Sequence, residues 1–600
     1  MRTRAVLVVL AIAIGLAGFF AVLSTYAILR RELNRGYLAT NPASAVFVTD
    51  RVDESLLSAI VARDDVDDAD ARRVIRGRIR AGDKSWRRLM LFVVRNFQEM
   101  RISTIAPDGG KWPPHAGEVL IERDAFQVAK VQIGDNATIQ IGTGPEQRLH
   151  IAGRVHDAGQ AQARMENSVY GYITPETLAQ VAGSPILDRL YVSVSGDRFD
   201  ETHVRRVASD IKTWLDANGH PVRRMDVPAP GEHPHALIMG LLLALMAVFG
   251  LLALGLSGVI VMNLQLATMA NERRQIGVMK AVGGTRGRIA SVYLAEAALL
   301  GVAAILLASP AGIALGRALS NQFALLLNFD LASLTIPAWV YLLVVIVGLL
   351  VPLASAAYPV VSATAMTVRE AVSASGVDPG RFGSGRVDRL LCGVDSAGRP
   401  WLLGVRNSAR RRMRTGLTLT TLTIAGTLFI TALSLRASIM ATLDRMFGPN
   451  TYGSDRRYAL DQHMLMIYVF LIVAAGVLAA VGGLGLMTAM SLNVLDRRRE
   501  LGVLRAIGGT PAMVGTIVVI EAVFVTVLAW AIAVGVSWPL TFAIGRLLAV
   551  AMFRGGLDIW LAPAAVVIWL GFSAALALVS SLSPAVSASR RSVREAVSYE

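Results

Sequence analysis

The chain says one thing twice. Residues 272–285 read ERRQIGVMKAVGGT, and residues 497–510, 225 positions later, read RRRELGVLRAIGGT. At the same offset Glu296 pairs with Glu521 and Pro359 with Pro584, and Val368-Arg369-Glu370-Ala371-Val372 returns unchanged as Val593-Arg594-Glu595-Ala596-Val597. A long repeat at fixed offset is a duplicated structural unit. Each copy sets the basic, glycine-ended segment between two long apolar runs, which points to a membrane protein with pseudo-twofold symmetry and two equivalent surfaces on one aqueous side.

Composition agrees: 54% of residues are hydrophobic and 17% charged, unlike an ordinary soluble domain. A stretch of about 20 apolar residues crosses the hydrocarbon core. Candidates lie at residues 5–28, 236–262, 289–318, 336–358, 416–435, 464–490, 512–545 and 561–582. The first is too long for a signal-peptide core and lacks a clear cleavage site before Arg30-Arg31, so it reads as an uncleaved span.

The net charge of +15 fits the Lys and Arg excess of cytoplasmic loops. Arg273, Arg274, Lys280, Arg286 and Arg288 follow the second span, and Arg497, Arg498, Arg499 and Arg505 follow the sixth. Arg406, Arg410, Arg411, Arg412 and Arg414 precede the fifth, and Arg590, Arg591 and Arg594 close the tail. Eight spans put all four groups on one side, with both termini cytoplasmic. No aromatic-interleaved basic platform suggests nucleic acid. The single cysteine, Cys392, excludes a disulfide framework or a Cys-based zinc site, and the eight histidines show no ligand spacing.

Residues 32–234 have soluble composition. Helical stretches at 54–62 and 199–218 alternate with strand-like ones at 89–94, 117–122, 136–141 and 149–155, with a turn at Gly134-Asp135, so a compact extracytoplasmic α+β domain is expected. Arg4 and Arg414 open the two copies 410 positions apart, against 225 further on, so 185 extra residues sit between the first two spans of copy one. Residues 27–38 read as a helical continuation of the first span, and 228–234 as a stiff non-helical joint before the second.

Within the repeated motif, Ile276, Met279 and Val282, and Leu501, Leu504 and Ile507, fall at spacings of three, which makes a short amphipathic helix. Gly283-Gly284 and Gly508-Gly509 can end it. It reads as a helix that docks a cytoplasmic partner; a plain interfacial connector is the alternative. Recurrence favours docking. Glu296 and Glu521 sit near the cytoplasmic ends of spans three and seven, and an acid in a span is a functional candidate. A structural hydrogen bond to the docking helix or its arginines is one reading and a proton relay the other; no chain of further intramembrane acids continues outward. Gly250, Gly255, Gly258, Gly476, Gly482, Gly483 and Gly485 allow close helix packing, and Pro310, Pro352 and Pro539 can kink their helices. No G-x-x-x-x-G-K-[ST] loop or nucleophile elbow occurs, so no catalytic residue is assigned, and an ATP-driven machine needs its ATPase in another chain.

The doubled motif and the V-R-E-A-V closure resemble the FtsX-like permease domain of ABC transporters. The closest architecture is the MacB-like or lipoprotein-release type, in which a large outer domain sits between the first two helices of a four-helix unit. Gly117-Glu118-Val119-Leu120-Ile121 followed by Lys130-Val131-Gln132-Ile133-Gly134-Asp135 resembles that outer domain. The resemblance implies a membrane α-helical fold of eight transmembrane helices in two four-helix repeats plus the α+β domain. The expected parts are helix 1 at 1–31, the outer domain at 32–234, helices 2–4 at 235–372, a cytoplasmic linker at 373–400, and an elbow helix with helices 5–8 at 401–600. The elbow candidate is 401–414. It places ATPase coupling at Glu272, Arg273, Arg274, Gly277, Lys280, Gly283 and Gly284, and at Arg497, Arg498, Arg499, Gly502, Arg505, Gly508 and Gly509. Gly277 and Gly502 are expected to let the partner approach closely.

The expected function is the permease subunit of an ABC transporter in the bacterial inner membrane, moving or extracting a lipid, lipoprotein or peptide. The chain holds no cofactor or metal, and ATP and Mg belong to a partner ATPase dimer. An extracytoplasmic adaptor or substrate protein and membrane lipid are the other expected partners. The alternatives are a non-transporting regulator that passes force to a cell-wall hydrolase, and a proton-coupled transporter using Glu296 and Glu521.

Overall fold

The computed structural model describes residues 2–80, 82–233, 236–372, 412–447, 472, 475–491, 493–494, 497–553 and 556–590. Among them, seven helices are long and apolar enough to cross a bilayer, and a shorter apolar helix spans Ala475–Ser491. The sixth candidate span falls partly outside the described residues, as do the cytoplasmic linker, most of the elbow candidate, Cys392 and the second V-R-E-A-V.

In repeat one, α1 (Arg2–Ala39) leads into the outer domain, and α7 (Ala236–Asn271) leaves it. The short α8 (Arg273–Ala281) then precedes α9 (Arg286–Leu327), α10 (Ala338–Ala365) and α11 (Val368–Val372). Repeat two has α12 (Arg412–Phe447), α13 (Ala475–Ser491), α14 (Arg498–Ala506), α15 (Pro511–Phe553) and α16 (Pro563–Arg590). Pro310, Pro352 and Pro539 each lie inside one continuous helix.

The gaps between candidate spans at 319–335 and 546–560 are in part helical, because α9 runs to Leu327 and α15 to Phe553. Hydropathy marks the part of a helix immersed in lipid, whereas backbone hydrogen bonding carries the helix beyond it. The 42 residues of α9 rise about 63 Å at ~1.5 Å each, roughly twice the hydrocarbon thickness of about 30 Å. α1, at 38 residues, packs along α9 over much of its length. Their seam is made by small residues that the sequence reading passed over: a Cβ at Gly312 would stand 2.8 Å from Phe20 Cβ, and one at Gly316 2.8 Å from Ser24 Cβ. Any side chain there would push the rods apart. Gly258 and Gly483 are equally tight, against Ser355 and Leu576, whereas Gly255 and Gly476 face open space.

The outer domain has ten strands. These are β1 (Ala45–Val48), β2 (Val66–Arg80), β3 (Trp86–Val94), β4 (Ala106–Gly110), β5 (Glu118–Glu122), β6 (Asn136–Ile141), β7 (Gln147–His156), β8 (Ser168–Ile173), β9 (Arg189–Val194) and β10 (Arg224–Asp226). They run in the order β10-β1-β9-β2-β3-β8-β5-β7-β4, and β6 pairs with both β2 and β7, closing part of the sheet on itself. The expected helices are α2 (Glu54–Val61) and α6 (Glu201–Ala217), each started by an Asp side chain that accepts from the first turn. Also present are the short helices α3 (Ala125–Ala129), α4 (Ala163–Glu166) and α5 (Pro175–Ala182). One core holds Phe47, Leu89, Leu91, Ile151, Tyr172 and Leu190. The four expected strands are β3, β5, β6 and β7. β2, with five arginines, is not among the strands expected from sequence. Yet Arg72 is buried, paired with Asp70 at 3.0 Å and stacked on the Tyr191 ring.

Candidate coupling site

α8 and α14 occupy equivalent places in the two repeats and end the same way. Gly283 and Gly508 take φ of +97° and +100°, where a Cβ would be strained. The next glycine closes the turn: Gly284 N–H donates to Met279 O at 2.8 Å, and Gly509 N–H to Leu504 O at 2.9 Å. A Cβ on either would stand 2.7 Å from that same carbonyl. These six-to-one bonds are the Schellman closure. They explain why Gly-Gly recurs: the first glycine supplies the backbone angle and the second the space. α9 then restarts at once, with Thr285 Oγ1 accepting from Arg288 N–H.

The face that α8 buries carries Ile276 and Gly277. Ile276 packs against Ile289, Tyr293, Ala356 and Val360, and in α14 Leu501 and Leu504 pack against Val514 and Val518. Gly502 is buried as well. This burial turns Gly277 and Gly502 toward their own repeat. It also splits the expected apolar stripe. Val282 is 85% exposed and Ile507 77%, and Val278, Met279 and Val503 stand exposed with them. Arg273 and Arg274 share the exposed side of α8; the side chains of Arg498 and Arg499 lie outside the described residues. Lys280 points the other way. Its Nζ donates to Thr364 O at 2.5 Å and to Met366 O, bonding the last carbonyls of α10 and pinning α8 beneath it. The first V-R-E-A-V starts α11 with a capping box: Thr367 N–H donates to Glu370 Oε2 at 2.8 Å, and Glu370 N–H to Thr367 Oγ1 at 3.3 Å. These bonds hold the Glu370 carboxyl below the usual carboxylate range.

The two intramembrane acids differ in their surroundings. Glu521 is buried. It accepts from Asn493 Nδ2 at 2.9 Å and from Arg497 Nη1 at 3.3 Å, and Arg497 lies 3.5 Å from Glu500. Glu296 is exposed on the surface of its helix. The position equivalent to Arg497 is Glu272 in repeat one, and its carboxylate accepts from Tyr293 OH at 2.7 Å. Where repeat two has an ion pair, repeat one has two acids and a phenol. The sequence held this signal in the first residue of E-R-R-Q against that of R-R-R-E. Arg505 and Gly508 lie on α14 and its cap. Among the described residues no cluster of His, Cys, Asp and Glu could hold a metal ion.

The FtsX-like permease C-terminal domain matches this chain at residues 247–368 and 472–593. The macrolide export ATP-binding/permease protein MacB 1 of Yersinia pestis bv. Antiqua (strain Antiqua) is 33% identical over 132 residues, 22% of this chain and 19% of the relative. MacB of Shigella sonnei (strain Ss046) is 28% identical over 134 residues, 22% of this chain and 20% of the relative. The matched stretch thus spans about a fifth of these relatives' own length. Among solved structures, the extracellular domain of the noncanonic ABC-type transporter YknZ from Gram-positive bacteria is similar at 11% identity and a TM-score of 0.23, over 31% of this chain and 99% of that one. The periplasmic region of MacB from Actinobacillus actinomycetemcomitans is similar at 11% identity and a TM-score of 0.22, over 30% and 87%. The match falls on both halves of the duplicated unit: the chain carries the FtsX-like permease C-terminal domain twice.

Proposed function

We propose that the chain is the permease subunit of an ABC transporter in a bacterial cytoplasmic membrane, with both termini inside and eight spans. A separate cytoplasmic ATPase dimer binds ATP and Mg and docks on α8 and α14. One observation carries this reading. Each repeat presents an exposed face that is apolar beyond what an aqueous surface needs, on a short helix pinned beneath its own spans and followed directly by the longest helix of the repeat. Exposed Val282 and Ile507 at a helix end are anchors awaiting pockets. Arg273 and Arg274 add a charge that steers an acidic partner. Substrates are hydrophobic or amphipathic: a lipid, a lipoprotein or a peptide, with an extracytoplasmic adaptor or substrate protein meeting the outer domain.

The second reading, a machine that passes force to an outer partner without moving a solute through the bilayer, draws on the same geometry. It is favoured by the way the outer domain is bolted to the helices. The proton-coupled reading has less to draw on, because Glu521 is held in an ion pair while Glu296 faces outward.

The test is purification of the chain from its native membrane. An ABC ATPase should co-purify, and Val282→Asp with Ile507→Asp should abolish that association while membrane insertion and yield stay normal. Recovery of the chain without any ATPase, or unchanged association of the double variant, rejects the docking assignment.

A further inference from the structure

α1 and α7 are the covalent tethers of the outer domain, and α1 meets the segment that leads into α7 at one turn. Gly159 lies beside Tyr37 of α1, whose ring meets that of His233 edge-on at 5.1 Å between centroids, and the His233 ring lies 2.9 Å from Ala158 O. A third contact lies elsewhere, on the segment that joins α9 to α10.

That segment is gripped from two sides. On the stalk side, buried Glu32 of α1 accepts from the backbone N–H of Ala332 at 2.9 Å and of Ser333 at 3.2 Å. Arg31, paired with Glu32 at 2.8 Å, donates to Thr335 O and Ser333 O at 2.9 Å each. On the outer-domain side, Arg123 donates through Nε to Asn328 Oδ1 at 2.7 Å and through Nη2 to Asn328 O at 3.2 Å, and its Nη1 lies 3.0 Å from Asp330. Buried Glu122 accepts from Asn328 Nδ2 at 2.7 Å, Gln162 Nε2 donates to Leu327 O at 2.8 Å, and Arg164 Nη2 to Leu325 O at 3.1 Å. Asn328 takes φ +56° as the C-cap of α9, so the helix end itself is the gripped object. Most of these bonds carry a charge on one partner, which makes them short and directional.

Among the described residues, repeat two keeps the stalk side alone. Thr442, 410 positions after Glu32, accepts from Asp558 N–H at 3.2 Å, and Asp558 stands 225 positions after Ser333. Ser438 and Ser434 continue the ladder to Trp560 N–H and Ala562 N–H at 3.1 Å each. The clamp between first span and outer loop therefore belongs to the repeat, and among the described residues the outer-domain half of the latch is found in repeat one alone.

We infer that residues 325–335 are a third, mechanical attachment of the outer domain, which makes α9 a single rod from the cytoplasmic helix α8 to the outer domain. Displacement of α8 reaches Glu122, Arg123 and Gln162 without passing through α1 or α7, while the equivalent rod α15 packs on α12 and α16 of its own repeat. The asymmetry between the rods converts a symmetric stroke into a one-sided movement outside. This rests on the proposed docking of an ATPase at α8 and α14.

The test uses the full chain in Cys392→Ser background with its co-purified ATPase in lipid vesicles, spin-labelled in two pairs. Glu176→Cys with Asn321→Cys reports the outer domain against α9. Glu176→Cys with Leu547→Cys reports it against α15. In the latched protein the first distance is narrow and unmoved by ATP, and the second shifts with ATP. Arg123→Ala with Gln162→Ala should broaden the first and cut the ATP-driven shift of the second by roughly half or more, with ATP hydrolysis retained. Arg123→Asp should do the same, and adding Asp330→Arg should restore both, which a folding defect would not permit. A narrow first distance in the unlatched variants overturns the latch whatever ATP does. An unlatched variant with an undiminished shift overturns its role in transmission. A wild-type protein whose second distance ignores ATP overturns the coupling reading beneath it.

Discussion

Glu296 and Glu521 hold the same position in a repeated sequence, yet the two residues that hold Glu521, Asn493 and Arg497, are Thr268 and Glu272 in repeat one. Glu521 has a cation at 3.3 Å and an amide donor at 2.9 Å, so its charge is compensated inside the protein. Removing one partner of a buried ion pair costs about 3–5 kcal/mol, because the other charge is left without compensation. Glu521→Ala should therefore lower thermal stability of the purified chain markedly, and Arg497→Ala should do the same, while Glu296→Ala should change it by less than roughly 0.5 kcal/mol, as an exposed substitution does. Thermal unfolding of the three variants in one detergent decides this; equal losses at 296 and 521 would show that the symmetry of the sequence extends to the energetics. Glu521→Gln keeps the shape and the Asn493 bond, so coupled activity should survive it. Total loss in a folded Gln variant would move weight to the proton-coupled reading.

α8 and α14 are short, and a nine-residue helix has little stability of its own. What fixes α8 is its ends and its underside: the Gly-Gly closure, Lys280 on the α10 carbonyls, and Ile276 in the seam between α9 and α10. Gly283→Ala and Gly508→Ala force a left-handed residue with a Cβ, at about 1–2 kcal/mol each. Each should loosen the angle between the short helix and the long one. Stimulated ATP hydrolysis by the partner is expected to persist and its link to outer movement to fall, most for the pair. Alanine variants indistinguishable from wild type in both assays would mean that the cap has no mechanical part. The sequence announced the cap plainly. It could not show which apolar residues of the helix turn inward, since spacings of three serve equally a face laid on the protein and a face offered to a partner.

At the scale of the molecule, the outer domain is carried on helices that outreach the bilayer. α1 continues without a break to Ala39, as the composition of 27–38 suggested. A flexible Gly/Ser insertion after Arg35 cuts this rod between Glu32 of the clamp and Tyr37 at the domain. It should abolish outer function and leave ATPase association intact, as read by co-purification and by the activity of the complex. Full activity after the insertion would show that the remaining attachments transmit alone. Sidedness is checked separately: a cysteine at His150, on an exposed strand position, should label from outside, and one at Gly380 only from inside.

The sequence by itself determined whatever depends on local pattern or on self-comparison: the duplication, the apolar stretches, the charge of their loops, the Gly-Gly caps, the existence of an α+β insertion, and four of its ten strands. Each of these is written in neighbouring residues or in a fixed offset. Tertiary structure decided the rest. Arg72 became a core residue only because Asp70, Tyr191 and the carbonyls of Ile102 and Ser103 surround it. Gly312 and Gly316 became a seam only because α1 lies against them. The latch joins Arg123 to Asp330 and Gln162 to Leu327 across more than 160 positions of chain. Polar bonds of that kind carry no period and no composition, since their geometry exists only after both elements have folded and packed.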